Sequence, residues 1–188
     1  EYKLPERNVE EAQRLLEEAG LTKDADGYYL HVTLDCFESG NWNDLAAVIQ
    51  QNLKEAGIDM TINMMEMAAW QDKVLVNGDF TMTMLAGYQG PDISGIDGRV
   101  RTDASTNVAG YSNPELDALL AEGVTLSNEE ERIAVYAEVQ RILREDLPII
   151  PIIDNGYKYA LKKEMNGMPI QLPDKTASSE YTYTYRAY

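Results

Sequence analysis

The chain has 188 residues, of which 16 are Lys or Arg and 32 are Asp or Glu, and its formal net charge is -16. A chain this acidic has no basic stripe that could neutralise phosphate groups, so we expect no nucleic-acid partner. The length suits one domain, with room for an attached segment, and is sufficient to bury a substantial core.

Cys36 is the only cysteine and His31 the only histidine of the chain, which limits the chemistry that the chain can carry. One cysteine excludes an internal disulfide and any cysteine-based zinc site. Cys36 shares one face of a predicted strand with Leu30, Val32 and Leu34, which predicts a buried apolar thiol. His31 falls on the opposite face, where we expect a neutral surface residue rather than a metal ligand or a base. The sequence therefore predicts neither a metal nor a cofactor.

The N-terminal half alternates helices with strands. Asn8 predicts the N-cap of a first helix that ends at Gly20, and a strand is predicted over Tyr29 to Phe37. A second helix ends at Gly57 and leads directly into another strand. Helices that alternate with strands predict a mainly parallel sheet with right-handed crossovers. The residues expected to face the core are Leu45, Val48, Ile49, Leu53 and Ala56 on the second helix and Ile58, Met60, Ile62 and Met64 on the strand.

A short helix over Glu66 to Val76, which carries Trp70, precedes a third predicted strand and the loop Gly87 to Asp92. The loop contains two glycines, a proline, an aromatic ring, an amide and a carboxylate, which places ligand-type groups where the backbone bends freely. It is therefore either an ordinary turn or the working edge of the domain. The strand alternates two sets of side chains, Phe80, Met82 and Met84 against Thr81, Thr83 and Leu85.

The C-terminal half is predicted to be helical after a long irregular segment. Residues 93–110 show no hydrophobic period, which predicts a functional or mobile loop. Pro114 then opens a helix that either Ser112 or Asn113 caps. A helix of about five turns follows from a cap at Ser127.

The remaining chain predicts strands and a tail of different character. A buried strand is expected over Ile149 to Ile153, with its proline at an edge or a bulge. Asn155-Gly156 predicts a hairpin turn. The tail has no helical period, and we expect it either to pair as an edge strand or to need a partner surface. Its tyrosines are Tyr181, Tyr183, Tyr185 and Tyr188.

Catalytic chemistry is not evident in the sequence. An enzyme needs a nucleophile with a base, a carboxylate pair at a defined spacing or a metal set, and no spacing singles out any of these. Neither a phosphate loop nor a dinucleotide-binding glycine pattern follows a predicted strand. A hydrolytic enzyme is therefore the least favoured class.

Recognition chemistry is more evident at the predicted strand ends and in the loops. Aromatic rings, amides and a carboxylate suit stacking, hydrogen bonding and pairing with an ammonium group. In open α/β sheets such groups converge beyond the carboxyl ends of the strands. Structural roles stay open for Trp42 as a helix staple, Asn107 as the holder of a turn and Tyr111 as a packing partner of Leu116. The candidate ligand-binding residues are Asn41, Trp42, Tyr88, Gln89, Asp92, Asn107 and Tyr111.

Five motifs occur in order along the chain: Leu15 to Gly20, Leu53 to Ile58, Asn77 to Phe80, Ala109 to Leu120, and Arg132 to Pro151. The fourth, which reads Ala-Gly-Tyr-Ser-Asn-Pro-Glu-Leu-Asp-Ala-Leu-Leu, is the most specific. Together the motifs resemble the family 5 extracellular solute-binding proteins, the peptide-type binding components of ABC importers. The resemblance covers most of the chain.

The resemblance implies an α/β fold, the C-terminal lobe of a type II periplasmic-binding-protein-like fold with a mainly parallel sheet flanked by helices. Residues 1–167 would form the ligand-binding lobe, and residues 168–188 would return towards an N-terminal lobe that lies outside this stretch. It also implies a binding protein without enzymatic activity. Such a protein captures a peptide-like solute between its lobes and delivers it to a membrane permease. The implied location is extracytoplasmic, either periplasmic or as a cell-surface lipoprotein.

Two departures from the family pattern bear on the ligand. The usual Gly-Trp with a nearby acid appears here as Gly87-Tyr88 followed by Asp92, which makes Asp92 the nearest candidate to hold a ligand's amino group. No arginine lies in the segment Glu38 to Asn43, where peptide binders are expected to pair with a ligand carboxylate. Longer peptides, oligosaccharides or a small cation complex therefore stay open. The alternative function is a sensor or interaction module of the same fold that presents a peptide or signalling ligand to a receptor.

Overall fold

The computed structural model describes residues 6–87 and 92–153, without the side chain of Ile93, and the backbone of Met165–Asn166 and Tyr185–Arg186. The described residues fall into two compact units, one up to Gly87 and one from Asp92 onward. No helix in these ranges is long and apolar enough to cross a membrane. The predicted boundary at residue 167 stays a prediction.

The N-terminal unit is built on three parallel strands in the order β2–β1–β3. β1 and β2 pair along their whole length, from Leu30 opposite Ile58 to Phe37 opposite Met65. The predicted parallel sheet is therefore confirmed. The elements are α1 (Val9–Glu18), β1 (Leu30–Phe37), α2 (Trp42–Glu55), β2 (Ile58–Met65), α3 (Met67–Trp70), a π-helix (Gln71–Val76) and β3 (Met82–Thr83).

Local signals fix the first helix as predicted. The side chain of Asn8 accepts a hydrogen bond from the Glu11 N–H at 3.0 Å, and Gly20 follows the helix with φ +83°. The third strand is shorter than its alternating pattern predicts, because only Met82 and Thr83 pair with β1. Short edge strands such as β3 are common in natural sheets.

The core of the N-terminal unit lies between the sheet and α2. Cys36 and Ala46 are fully buried there, and the predicted burial of the thiol is confirmed. The face predicted for α2 is wrong at one position, since Val48 is 58% exposed. The small side chain of Ala46 lets the helix approach the sheet closely, so the buried face centres on Ala46. The other buried members of this core are Leu34, Met60 and Met84.

A polar network covers the opposite face of the sheet and centres on Asp35, which is 1% exposed. Its carboxylate accepts a hydrogen bond from Asn63 Nδ2 at 2.6 Å and lies 3.3 Å from Lys73 Nζ. The Thr83 hydroxyl donates to the Asp35 backbone carbonyl at 2.7 Å and accepts from Trp70 Nε1 at 2.9 Å. Because a buried carboxylate is stable only when it is paired and hydrogen-bonded, this network fixes all three strands against the π-helix.

His31 lies on the exposed face of β1, as predicted, but it is not an isolated surface residue. Its Nε2 lies 2.5 Å from an Asp24 carboxylate oxygen, and its Nδ1 lies 3.0 Å from Asp59. Asp24 and then Asp59 raise the pKa of His31 above its ordinary value. The two carboxylates therefore favour the protonated form of the ring.

The C-terminal unit is mainly helical in its described part. Its core contains Val100, Leu116, Leu120, Tyr136, Val139 and Ile142. The backbones of β4 (Met165–Asn166) and β5 (Tyr185–Arg186) pair antiparallel, which agrees with the first of the two alternatives predicted for the tail, an edge strand. The helices are a 3-10 turn (Ile93–Ile96), α4 (Asp97–Val100), α5 (Pro114–Gly123) and α6 (Glu129–Asp146).

Two predictions for this unit need correction, and the choice between two predicted caps is resolved. The segment 93–110 is not irregular throughout, because a 3-10 turn and α4 occupy its first part and bury Val100. Such short helices leave no readable hydrophobic period. Asn113, one of two predicted caps, accepts from the backbone N–H groups of Glu115 and Leu116. Asn128 rather than Ser127 caps α6.

The buried strand predicted over residues 149–153 is wrong. All four isoleucines are exposed, by 41% to 62%, and no strand among the described residues pairs with this segment. Pro148 and Pro151 lack the N–H group that a continuous ladder requires, which disfavours pairing. The predicted hairpin at Asn155-Gly156 lies outside the described residues, as do Tyr181, Tyr183 and Tyr188.

Gly57 and Gly20 offer a matched test of the close packing between Tyr29 and the turn that follows α2. Gly57 has a φ of +84° and Gly20 a φ of +83°, so an alanine at either site has the same backbone strain. A Cβ at Gly57 would lie 2.8 Å from Tyr29 Cδ2, whereas a Cβ at Gly20 would meet nothing within 4 Å. Gly20→Ala should therefore cost about 1–2 kcal/mol, and Gly57→Ala roughly 1–3 kcal/mol more, because Tyr29 must also move.

Tryptophan fluorescence during urea denaturation measures this difference, since both tryptophans of the chain, Trp42 and Trp70, lie in the N-terminal unit. Equal losses of stability for the two variants would contradict the close packing of Tyr29 on Gly57.

Candidate functional site

Asn41 lies between the carboxyl end of β1 and the first turn of α2. Its backbone carbonyl accepts the Leu45 N–H at 3.1 Å, so it occupies the N-cap position. Its side chain makes no capping hydrogen bond and is exposed. The amide therefore adds nothing to the helix cap and retains its capacity to donate and accept hydrogen bonds.

Trp42 begins α2 and packs on Phe37, the last residue of β1. The two ring centroids are 4.7 Å apart with an interplanar angle of 41°, and Phe37 contacts Trp70 at the same centroid distance. Trp42 is only partly buried against the core, so part of its ring faces solvent. The predicted role as a helix staple is therefore fulfilled, and an aromatic surface remains at the end of the strand. Phe37 was not predicted as part of this surface, although its position at the strand end is visible in the sequence.

Asp92 caps the 3-10 turn of the C-terminal unit and forms an ion pair with Arg132. One carboxylate oxygen accepts from the Ser94 N–H and from Arg132 Nη2, each at 2.9 Å. The other oxygen lies 3.1 Å from the same Arg132 nitrogen. Arg132 first, and then Ser94, hold the pKa of Asp92 well below its usual range. Asp92 is therefore ionised and already has a cationic partner.

Arg132 is held in place by contacts other than the ion pair. Its Nε donates to the Gly123 carbonyl at the end of α5 at 3.2 Å, and its guanidinium lies 5.4 Å from the centroid of the Tyr136 ring. These contacts fix the side chain on the surface of α6, where it reaches Asp92. Sequence analysis missed this role. The available signal was the spacing of Arg132 and Tyr136, one helical turn apart.

Asn107 and Tyr111 are in direct contact within one loop. The Asn107 amide nitrogen donates to the Tyr111 carbonyl at 2.7 Å, and its oxygen accepts the Tyr111 N–H at 3.2 Å. Asn107 also donates to the Arg101 carbonyl at 3.1 Å. The predicted turn-holding role of Asn107 is therefore fulfilled, and its role in ligand binding stays a prediction.

The Tyr111 hydroxyl donates a hydrogen bond to the carboxylate of Asp146, at the end of α6. Asn113 donates to the same oxygen at 3.1 Å. Partial burial and the Asp146 carboxylate raise the pKa of Tyr111 to about 12. Tyr111 and then Asn113 lower the pKa of Asp146. Tyr111 also packs against the core that contains Leu116, as the sequence suggested.

The predicted site residues are thus distributed over both units. Asn41 and Trp42 belong to the N-terminal unit, whereas Asp92, Asn107 and Tyr111 belong to the C-terminal unit. Tyr88 and Gln89 lie outside the described residues. Within the described ranges, no group of three or more His, Cys, Asp or Glu side chains is arranged to hold a metal ion.

Comparison with known proteins gives the class. Residues 1–97 match the model described as "Bacterial extracellular solute-binding proteins, family 5 Middle". This match spans half of the chain, and the fold agrees with it. The chain belongs to the family 5 extracellular solute-binding proteins.

Individual relatives support the same assignment. The chain is 27% identical over 138 residues to "Probable deoxycholate-binding periplasmic protein YgiS" of Escherichia coli K12, covering 72% of this chain and 24% of that protein. It is 26% identical over 175 residues to "Peptide transport periplasmic protein SapA" of Salmonella typhimurium, covering 85% and 30%. OppA of Haemophilus influenzae, solved in complex with RPPGFSPFR, superimposes with a TM-score of 0.71 at 25% identity over 85% of this chain and 31% of that chain.

These comparisons confirm the predicted family and fold class; YgiS is named as a binding protein and SapA as a peptide transport protein. They also show that the chain spans between about a quarter and a third of the length of its relatives.

Tyr111→Phe tests the hydrogen bond to Asp146. The variant should denature at a lower urea concentration than the wild type, because the hydroxyl favours the ionised carboxylate. The difference should be fully present above the unfolded pKa of an aspartate, about 4, and should be lost as the pH falls from there through the lower folded pKa of Asp146. It should also vanish between about pH 10 and the folded pKa of Tyr111, about 12, because a raised pKa stabilises only below it.

Tyr136→Phe is the matched control, because the buried Tyr136 hydroxyl has no hydrogen-bond partner among the described residues. Far-ultraviolet circular dichroism reports on the helices of this unit in both variants. A difference between wild type and Tyr111→Phe that is independent of pH would contradict the assigned role of the hydroxyl.

Proposed function

We propose that the full-length protein is the substrate-binding component of an ABC importer, and that this chain forms a ligand-binding part of it. It captures a peptide-like solute and delivers the solute to a membrane permease. Membership of the family 5 extracellular solute-binding proteins carries this proposal. Relatives named for peptide transport and for oligopeptide binding favour a peptide-like ligand.

The ligand-binding residues in this proposal are those that the sequence singles out. The Trp42 ring offers a face for a side chain or a peptide plane, and the Asn41 amide offers a donor and an acceptor that the helix cap does not use. Asp92 and Tyr111 add a paired carboxylate and a half-buried aromatic ring. Asn107 contributes by holding the backbone of Tyr111. Tyr88 and Gln89 complete the proposed set.

The proposal includes partners and a location. The rest of the polypeptide supplies an N-terminal lobe that closes over the ligand by a hinge motion. The permease of the importer receives the solute. The protein works outside the cytoplasm, in the periplasm or as a lipoprotein at the cell surface, and it does not chemically change its ligand. The family description and the names of the relatives support this location.

Isothermal titration calorimetry on the full-length protein tests the proposal. Pools of peptides, oligosaccharides and nickel complexes are titrated in parallel, with deoxycholate as a further arm because one relative is named for it. The peptide pool is expected to bind. Binding of another class alone would overturn the peptide ligand, and conversion of the bound ligand into product would overturn the non-enzymatic role.

The Asn41→Ala variant tests whether this chain contacts the peptide ligand. The variant should bind peptide about three- to tenfold more weakly, because one hydrogen bond to the ligand is lost. Its stability should be unchanged, since the side chain does not cap α2. Asn52→Ala is the matched control, an exposed asparagine on the same helix. Equal affinities of Asn41→Ala and Asn52→Ala would remove Asn41 from the site.

A further inference from the structure

Asp92 and Arg132 form an ion pair. Two donors reach one carboxylate oxygen of Asp92, and Arg132 also reaches the other. The Ser94 side chain also hydrogen-bonds this carboxylate. The carboxylate is still accessible to a ligand, because the exposed fraction of the Asp92 side chain is 47%.

The position of Arg132 does not depend on the ligand. The side chain is anchored by the Gly123 carbonyl and by the face of the Tyr136 ring, and 31% of it is exposed. An arginine with these additional contacts holds its guanidinium beside Asp92 whether or not a ligand is bound. The ion pair therefore holds the Asp92 carboxylate at a fixed position, and the pair as a whole carries no net charge.

The charge of the pair decides which donors Asp92 can favour. An ammonium group on Asp92 would gain attraction from the carboxylate but would also be repelled by the guanidinium next to it. Coulomb energy falls with the inverse of distance. If the guanidinium lies about twice as far from the ligand ammonium as the carboxylate does, its repulsion cancels about half of the attraction. The ammonium would in addition lose its hydration. An amide N–H or a hydroxyl is not repelled by the guanidinium, loses less hydration than an ammonium, and still donates a hydrogen bond to a charged acceptor.

We propose that Arg132 is a specificity-determining residue that neutralises and orients Asp92, so that the site accepts an uncharged ligand donor at this position rather than a free amino terminus. This inference rests on the proposed binding function. It replaces the expectation that Asp92 holds the amino group of a peptide. The ligand class that follows is a peptide bound through an internal amide or a blocked amino terminus.

The test uses the full-length protein and two probes, a tetrapeptide library with free amino termini and the same library after N-acetylation. Native mass spectrometry identifies the best-retained sequence, and calorimetry measures its affinity in both forms. For the wild type, the two affinities should agree within about threefold. For Arg132→Gln, the preference for the free amine should rise at least about tenfold, because the carboxylate has lost its cation.

Two further variants separate charge from structure. Arg132→Lys keeps the positive charge but loses the guanidinium geometry, so its ratio of affinities should stay near that of the wild type. Arg141→Gln removes an arginine on the same helix that pairs with Glu138 and Glu145 instead of Asp92, and it should not change the ratio.

A wild-type preference for the free amine of more than about tenfold would overturn the inference and leave the proposed function intact. Equal changes in the ratio of the two affinities for Arg132→Gln and Arg132→Lys would also overturn the inference, because the charge of Arg132 would then not determine the preference. Failure of both libraries to bind the wild type would overturn the inference together with the peptide ligand of the proposed function.

Discussion

The parallel pairing of β1 with β2 is the constraint on which the N-terminal unit depends. Side chains alternate along a strand, so the register that buries Leu34 and Cys36 on one face also places Asp35 on the other. A slip by one residue would bring the Asp35 carboxylate into the apolar core and remove it from Asn63. The apolar core and the polar network therefore select the same register, each from its own face of the sheet.

This register also determines where recognition groups can lie. The strand ends at Phe37, whose ring supports Trp42 at the start of α2, and the same helix start exposes the Asn41 amide. A rigid strand end that holds an aromatic surface is a suitable base for a binding loop, because the loop residues vary without disturbing the core. The apolar face of the sheet thus stabilises the unit, and the groups that we propose contact a ligand lie at the carboxyl end of β1.

Electrostatics organises the C-terminal unit in a different way. The chain has twice as many acidic as basic residues, so carboxylates outnumber their possible cationic partners. Arg132 and Arg141 lie on the same helix but pair with different groups. Arg141 pairs with Glu138 and Glu145 on its own helix and lies 3.9 Å from Glu115 of α5, whereas Arg132 pairs with Asp92. The Arg132 pair joins residues that are 40 positions apart in the chain and includes a residue that we propose contacts ligand.

The sequence predicted the family, the fold class, the parallel sheet and the first helix cap, because each has a local signal in apolar period, capping residues or motif order. It did not predict the partners of Asp92 and Tyr111, since Arg132 and Asp146 are 40 and 35 residues away along the chain. The strand predicted over residues 149–153 failed for a related reason, because an apolar run does not reveal whether another strand is available to pair with it. Whether the candidate residues contact ligand stays a prediction.

Hydrogen exchange followed by mass spectrometry on the full-length protein tests most directly the proposal that this chain contributes to ligand binding. On addition of the best-retained tetrapeptide, backbone amides around Asn41 and Trp42 and in the segment from Asp92 to Tyr111 should exchange more slowly. The amides around His31, at the opposite end of β1, should be unchanged. Protection that is absent from both candidate segments, or equal around His31, would contradict the account.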